Sequence, residues 1–272
     1  MLHVTLRRPK PPLGRSDKWS EEITFCVRGP VDQDILHEVW VTDGYGVREL
    51  AAAGSGDHAT TRRERTIVDI GAHIGAFAVL AATLWPGCRL IACECDPDNL
   101  TLLKRNLQAL GENGVRPSEE IPKGQTPFPN VRIVEAAIVG EEVSEVEFHA
   151  VADKAGRNSG GGSCFLREPG SQAIRVPALS IRKLWREQHI DRCDLMKLDC
   201  EGAELPILTA LARAGLLARI RCLVGEWHVL PEHGQTPASV MHNLQSILAA
   251  THQVDIGRRA GVGLGYFRAM LR

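Results

Sequence analysis

Hydrophobic and polar positions change rhythm along this chain. From Thr66 onward, short continuous apolar runs alternate with stretches where apolar residues return at helical spacing. Ile67-Val68-Asp69-Ile70, residues 89–93 and residues 131–134 read as strands. Ile74, Phe77, Ala78, Ala81 and Leu84 mark one helix; Leu100, Leu103, Leu107 and Leu110 mark another, with Asp98 or Asn99 as its cap. Residues 111–130 hold four prolines and three glycines and read as a loop. Continuous apolar strands joined by helices predict an α/β fold whose mostly parallel sheet is covered by helices on both faces.

The middle of the chain keeps a different period. Residues 146–151 and 174–178 alternate around the stretch GRNSGGGS at 156–163, which predicts a β insertion over about 144–178 carrying a loop able to close over a ligand. The α/β pattern then resumes with a strand at 194–199, a helix marked by Leu205, Leu208 and Leu211, and a strand at 220–224. A helix over 238–250 turns Val240, Leu244, Ile247 and Leu248 inward, and residues 254–256 and 264–268 are expected to close the sheet as an antiparallel pair. Residues 1–20, rich in proline and charge, predict no regular structure, and 52–65 read as a linker. The chain is thus expected to be an N-terminal extension, 1–65, packed on a core, 66–272.

Composition narrows the choice of partner. With 272 residues, 44% hydrophobic and 24% charged, the chain can bury a full core without staples. Lys plus Arg (32) and Asp plus Glu (33) nearly cancel to a net charge of -1, which argues against a nucleic-acid partner. No apolar run approaches the roughly 18 residues of a spanning helix, and the first residues lack an apolar signal core, so no membrane span and a cytoplasmic location are expected. Cysteines at 26, 88, 93, 95, 164, 193, 200 and 222 form no C-x-x-C pair and read as reduced thiols; neither disulfides nor a metal are expected.

Four segments carry candidate chemistry. Asp69-Ile-Gly71-Ala72-His73-Ile-Gly75 joins a strand to a helix: Gly71 suits a tight turn at positive φ, Gly75 is expected to let the helix approach the strand, and the helix N-terminus favours a carboxylate or phosphate. Glu94, nineteen residues after Gly75, ends the next strand, where an acidic side chain can accept ribose hydroxyls. NAD and S-adenosylmethionine both contain such a ribose. His73 stands where the dinucleotide fingerprint places a glycine, and its side chain hinders a pyrophosphate more than a methionine carboxylate. The third segment, Lys197-Leu-Asp199-Cys-Glu201-Gly-Ala-Glu204, puts three carboxylates in one strand-to-helix turn, and Gly225-Glu226-Trp227-His228 follows the next strand. His228, titrating near neutrality, is a candidate base with Glu226 as its orienting or acceptor-binding partner.

The pieces VDIGAHIGAFAVLAA, ECDPDNLTLLKRNL, AAIVG and DLMKLDCEGAELPIL, in this order, resemble the FkbM family of S-adenosylmethionine-dependent methyltransferases over roughly residues 35–227. The resemblance implies a Rossmann-like class I methyltransferase fold with a seven-stranded sheet. It implies methyl transfer, to oxygen more often than nitrogen. Carried over by position, Asp69, Gly71, Ala72, His73 and Gly75 surround the methionine part, Glu94 holds the ribose, and Cys95 and Asp96 flank the adenosine. Glu135, Ala136 and Ala137 border the adenine, and Asp199 lies nearest the transferring methyl. The family commonly has Asn at the place of His73 and Pro at the place of Cys95. Asp199, His228 and Glu226 are the expected catalytic residues, acting on a hydroxyl of a small-molecule or glycan acceptor. N-methylation of a peptide side-chain amide, or nucleoside binding without catalysis, are the alternatives. Trp40 and Tyr45 of the extension either line the pocket or pack. Neither the acceptor nor the oligomeric state leaves a mark in the sequence.

Overall fold

The computed structural model describes residues 2–7, 9, 22–53, 64–109, 130–151, 160–167, 170–259 and 263–272. The chain divides into two compact units, residues 1–135 with 153–160, and residues 136–152 with 161–272.

The first unit opens with β1 (Leu2–Arg7) and β2 (Glu22–Val27), an antiparallel pair running from Leu2↔Val27 to Arg7↔Glu22. For residues 2–7 this corrects the expectation that 1–20 lack regular structure; residues 8 and 10–20 lie outside the described residues. Leu2, Val4 and Leu6 alternate with polar residues at strand period, and β2 buries Ile23, Phe25 and Val27 on one side. Helix α1 (Pro30–Trp40) begins with proline, whose fixed φ and missing N–H suit a helix start, and buries Leu36, Val39 and Trp40. A short α2 (Val47–Ala53) follows. Asn106 fastens this segment to the core, donating to the carbonyls of Cys26 and Ile74 and accepting the Cys26 N–H. Trp40 packs edge-on against Phe25 and donates to the carbonyl of Ala76, while Tyr45 packs edge-on against Phe77.

The strands β3 (Thr66–Ile70), β4 (Arg89–Glu94) and β5 (Val131–Glu135) pair in parallel through α3 (Ala76–Leu84) and α4 (Pro97–Ala109). Every residue of β3 and all of α3 except Ala82 are buried, as a strand and helix at the centre of the fold require. Helix α4 buries Leu100, Leu103 and Leu107; Leu110 and the expected loop lie outside the described residues over 110–129, as does the linker over 54–63. Two local expectations are corrected. The cap of α4 is Asp96, which accepts the N–H groups of Asp98 and Asn99, because Pro97 occupies the first helical position. A side chain at Gly75 would meet Leu103 of α4 at 2.8 Å, so that glycine admits a neighbouring helix rather than the strand.

In the second unit, β6 (Ala137–Val139), β7 (Glu145–Ala150) and β8 (Gln172–Ser180) form a three-stranded sheet ordered β6-β8-β7, with β7 antiparallel to β8. Of the loop expected at 156–163, residues 156–159 lie outside the described residues. Helix α5 (Ile181–Glu187), β9 (Leu195–Leu198), α6 (Glu204–Arg213), β10 (Cys222–His228), α7 (Pro237–Leu248), β11 (His252–Arg258) and β12 (Leu264–Leu271) complete the unit. β9 and β10 are parallel, and β12 pairs antiparallel with both β10 and β11. The strand expected to end at residue 224 continues through His228. Gly225 permits this: a Cβ there would fall 1.9 Å from the Leu198 carbonyl oxygen, so only glycine lets β10 lie against β9.

Within the first unit the strand order is β3-β4-β5, all parallel; within the second it is β11-β12-β10-β9, with the antiparallel pair at the edge. Parallel strands joined by helices make this a Rossmann-like fold, as the resemblance implied. Among the described residues no helix is long and apolar enough to cross a membrane, and all eight cysteines are free thiols.

Candidate active site

In the first unit, the chain turns sharply after β3. Gly71 (φ 78), His73 (φ 51) and Gly75 (φ 89) all take left-handed backbone, and His73 is a bulky residue for that region. The gain is a fixed carboxylate. The His73 N–H donates to Glu94 Oε2 at 2.7 Å, and the N–H groups of Cys95 and Asp96 donate to Oε1 at 2.9 and 2.8 Å. A carboxylate offers about four acceptor sites. Oε1 is filled by two donors, and Oε2 keeps one site for a hydroxyl. Burial pushes the Glu94 carboxyl up from its ordinary value, against the opposing pull of these N–H groups.

The N–H groups of Gly71 and Ala72 both donate to the Cys93 carbonyl, which closes the turn onto β4. Helix α3 begins at Gly75 with no side-chain cap, so its first N–H groups and positive dipole end are open to an anion. Asp69 is fully buried. An acceptor for one hydroxyl at Glu94 and an uncapped helix start fit a ribose and an amino-acid carboxylate, the two polar parts of S-adenosylmethionine. Of the residues expected around the adenosine, Asp96 spends its carboxylate on capping α4, and Cys95 contributes a backbone N–H. Glu135 ends β5 in an ion pair with Lys104 at 2.9 Å. Ala136 and Ala137 are buried at the start of the second unit.

Sequence reading missed two residues beside this turn. Asp32 of α1 is completely buried and takes the Arg28 guanidinium through Nε and Nη2 at 3.1 and 2.9 Å. The Arg28 Nη2 also lies 3.0 Å from His73 Nε2. Burial alone would raise the Asp32 carboxyl; the hydrogen bonds and charge of Arg28 outweigh it and hold Asp32 below its ordinary value. Only the spacing of Arg28 and Asp32, one helical turn apart, hinted at this pair.

In the second unit the acidic turn and β10 converge. Glu201 (φ 52) and Gly202 (φ 107) make a left-handed bend. Glu204, at the start of α6, accepts the N–H groups of Cys200 and Gly202 and faces His228 Nδ1 at 3.1 Å. His228 Nε2 lies 3.4 Å from Glu201 and 3.7 Å from Glu226. Lys197 stands 3.6 Å from Asp199. Four carboxylates, those of Asp199, Glu201, Glu204 and Glu226, therefore share one imidazole and one ammonium. Burial pushes the His228 pKa down, but Glu201 and Glu204 outweigh it and carry it well above 6.5. The surrounding carboxylates thus favour the protonated form of His228 over the neutral ring that a base uses. One ligand atom from each of Asp199, Glu226 and His228 lies within 4.8 Å of the others, and a cation there would have to displace the imidazolium proton. Ser163 is buried, its hydroxyl donating to the Glu201 carbonyl and accepting the N–H groups of Phe165 and Leu166, which ties the end of the insertion to the bend.

Comparison with known proteins gives the family. A family model described as the methyltransferase FkbM domain matches residues 69–255. The chain is 31% identical over 158 residues to Methyltransferase sdnD of Sordaria araneosa, a match covering 52% of this chain and 58% of that protein. Among solved structures, a putative O-methyltransferase from Klebsiella pneumoniae aligns with a TM-score of 0.44 at 14% identity, covering 90% of this chain and 91% of that one. The precorrin-6y C5,15-methyltransferase of Geobacter metallireducens aligns with a TM-score of 0.40 at 14% identity, covering 78% and 83%. The family match spans more than half of the chain and includes both the glycine turn and the acidic bend, so the chain belongs to the FkbM family of S-adenosylmethionine-dependent methyltransferases.

Proposed function

We propose that this chain moves a methyl group from S-adenosylmethionine to a hydroxyl oxygen of a small-molecule or glycan-type acceptor, with Asp199 as the base. The carrying observation is the cluster around His228. Its imidazole is enclosed by carboxylates that favour the protonated form, while Asp199 remains partly open, its side chain 24% exposed. A row of carboxylates suits an acceptor rich in hydroxyls, each of which can donate a hydrogen bond.

The cofactor supplies a methyl group activated by its sulfonium, for in-line displacement. In the first unit, Glu94 takes a ribose hydroxyl, while the turn from Asp69 to Gly75 holds the amino-acid end. In the second unit, Asp199 takes the proton that the acceptor hydroxyl loses as the new O–C bond forms. Glu226 hydrogen-bonds the acceptor, and His228, held by Glu204, fixes the carboxylates by its charge. Residues 66–272 form the catalytic domain in this reading, with 1–65 as an extension to its cofactor-binding part. Eight free thiols support a reducing, cytoplasmic setting.

The test is Asp199→Asn, Glu226→Gln and His228→Asn, with S-adenosylhomocysteine affinity measured beside turnover on a panel of hydroxylated acceptors. The proposal expects Asp199→Asn to lose about 100-fold or more in turnover, the usual weight of a general base, with cofactor affinity kept within a few-fold. Unchanged turnover in Asp199→Asn removes it as the base.

A further inference from the structure

We propose that Arg28, which lies ahead of the family-matched region, binds the α-carboxylate of S-adenosylmethionine. The assignment rests on the cofactor reading above and extends it to a residue the family match, beginning at residue 69, does not reach. Arg28 directly precedes α1, and Asp32 grips it from one side. Nε and Nη2 donate to the two Asp32 oxygens at 3.1 and 2.9 Å, and the Arg28 backbone N–H donates to Oδ2 at 2.7 Å. A carboxylate that is wholly buried and triply bonded fixes the plane and direction of the guanidinium. The remaining N–H of Nη2 faces His73 Nε2 at 3.0 Å, inside the glycine turn itself.

This leaves Nη1, with two N–H donors, without a hydrogen-bond partner among the described residues, on a side chain only 21% exposed. The same charge reaches Asp96, next but one to Glu94. An oriented cation with an unused edge therefore stands beside the turn that takes the amino-acid end of the cofactor. The first N–H groups of α3, left open at Gly75, are donors of the same kind. A guanidinium held in plane by Asp32 aims Nη1 as a charge-assisted donor, which suits an oxygen of a carboxylate. Anchoring α1 and offsetting the Asp32 charge is a purely structural duty for Arg28, and it differs in outcome: it moves stability and makes no distinction between ligands with and without a carboxylate.

The experiment titrates the wild-type chain, Arg28→Gln and Arg28→Lys with three ligands by calorimetry. They are S-adenosylhomocysteine, its decarboxylated analogue, and 5′-methylthioadenosine, which lacks the whole amino-acid tail. The wild type is expected to prefer S-adenosylhomocysteine over the decarboxylated analogue by about 10- to 100-fold, the weight of a charge-assisted bond pair. Arg28→Gln is expected to lose that preference while binding 5′-methylthioadenosine as the wild type does. Arg28→Lys keeps a charge opposite Asp32, and so keeps the fold if the Gln variant does not, but gives up the fork and retains only a few-fold preference. A preference undiminished in a folded variant, no preference in the wild type, or an equal loss of all three ligands overturns the assignment. A wild type that binds none of the three overturns the cofactor reading itself, which is a distinct outcome.

Discussion

Glu204→Gln isolates the electrostatics of the second unit. Glu204 is almost wholly buried, its carboxylate holding the N–H groups of Cys200 and Gly202 and facing His228 Nδ1 at 3.1 Å. The amide is isosteric but uncharged. Weakening the two backbone bonds from charged to neutral acceptors costs about 1 kcal/mol. Removing one partner of a buried ion pair costs about 3–5 kcal/mol, which we discount to about 2 because Glu201 and Glu226 still face the imidazolium. The sum of about 3 kcal/mol corresponds to a melting-temperature drop of about 6–12 °C for a chain of this size. The pH dependence identifies the source. The His228 pKa is raised on folding, so its contribution is fully present below the unfolded value near 6.5 and is lost as pH rises through the higher folded value. Losing Glu204 lowers the folded value. The gap between wild type and variant is therefore widest near pH 6 and narrows in alkali to the part due to the turn. Thermal unfolding followed from about pH 6 to 10 reads this directly. A gap that stays constant with pH, or a variant as stable as the wild type, refutes the assignment of a buried imidazolium.

Gly225→Ala would place a methyl group 1.9 Å from the Leu198 carbonyl oxygen and 2.9 Å from the Phe267 ring, so the strand must part from its neighbour. We expect a loss above about 4 kcal/mol, seen as failure to accumulate folded protein; a normal unfolding transition contradicts the register of β9 and β10. Asn106→Ala strands three backbone groups, the Cys26 N–H and the carbonyls of Cys26 and Ile74. At about 1 kcal/mol each, the expected destabilisation is about 3 kcal/mol by chemical denaturation, and an effect within error would show that the N-terminal segment is not fastened there.

Much of the fold was legible because strand and helix periods are local. The buried β3 and the fully apolar face of α3 follow from consecutive residues, and the glycine turn announces itself by Gly71 and Gly75. The misreadings have physical causes. LHVTLR alternates as a strand should, but its proline-rich surroundings masked the pattern. Gly225 looked like the end of a strand, whereas it is the residue that lets the strand continue past Leu198. Asp96 caps α4 because Pro97 fixes where that helix begins, and the two later polar residues were favoured instead. Arg28 and the charge state of His228 lay beyond local reading altogether. One depends on a segment folding back onto a turn 45 residues later, the other on carboxylates 24 residues away meeting one ring.

The most direct measurement of the central claim is calorimetric titration of the wild-type chain and Glu94→Gln with S-adenosylhomocysteine. The account predicts saturable binding to the wild type and a loss of about 10-fold or more in the variant, because the amide replaces a charge-assisted acceptor with a neutral one and puts an NH₂ among backbone donors. A wild-type chain that gives no heat, or a folded Glu94→Gln variant that binds as tightly as the wild type, contradicts it.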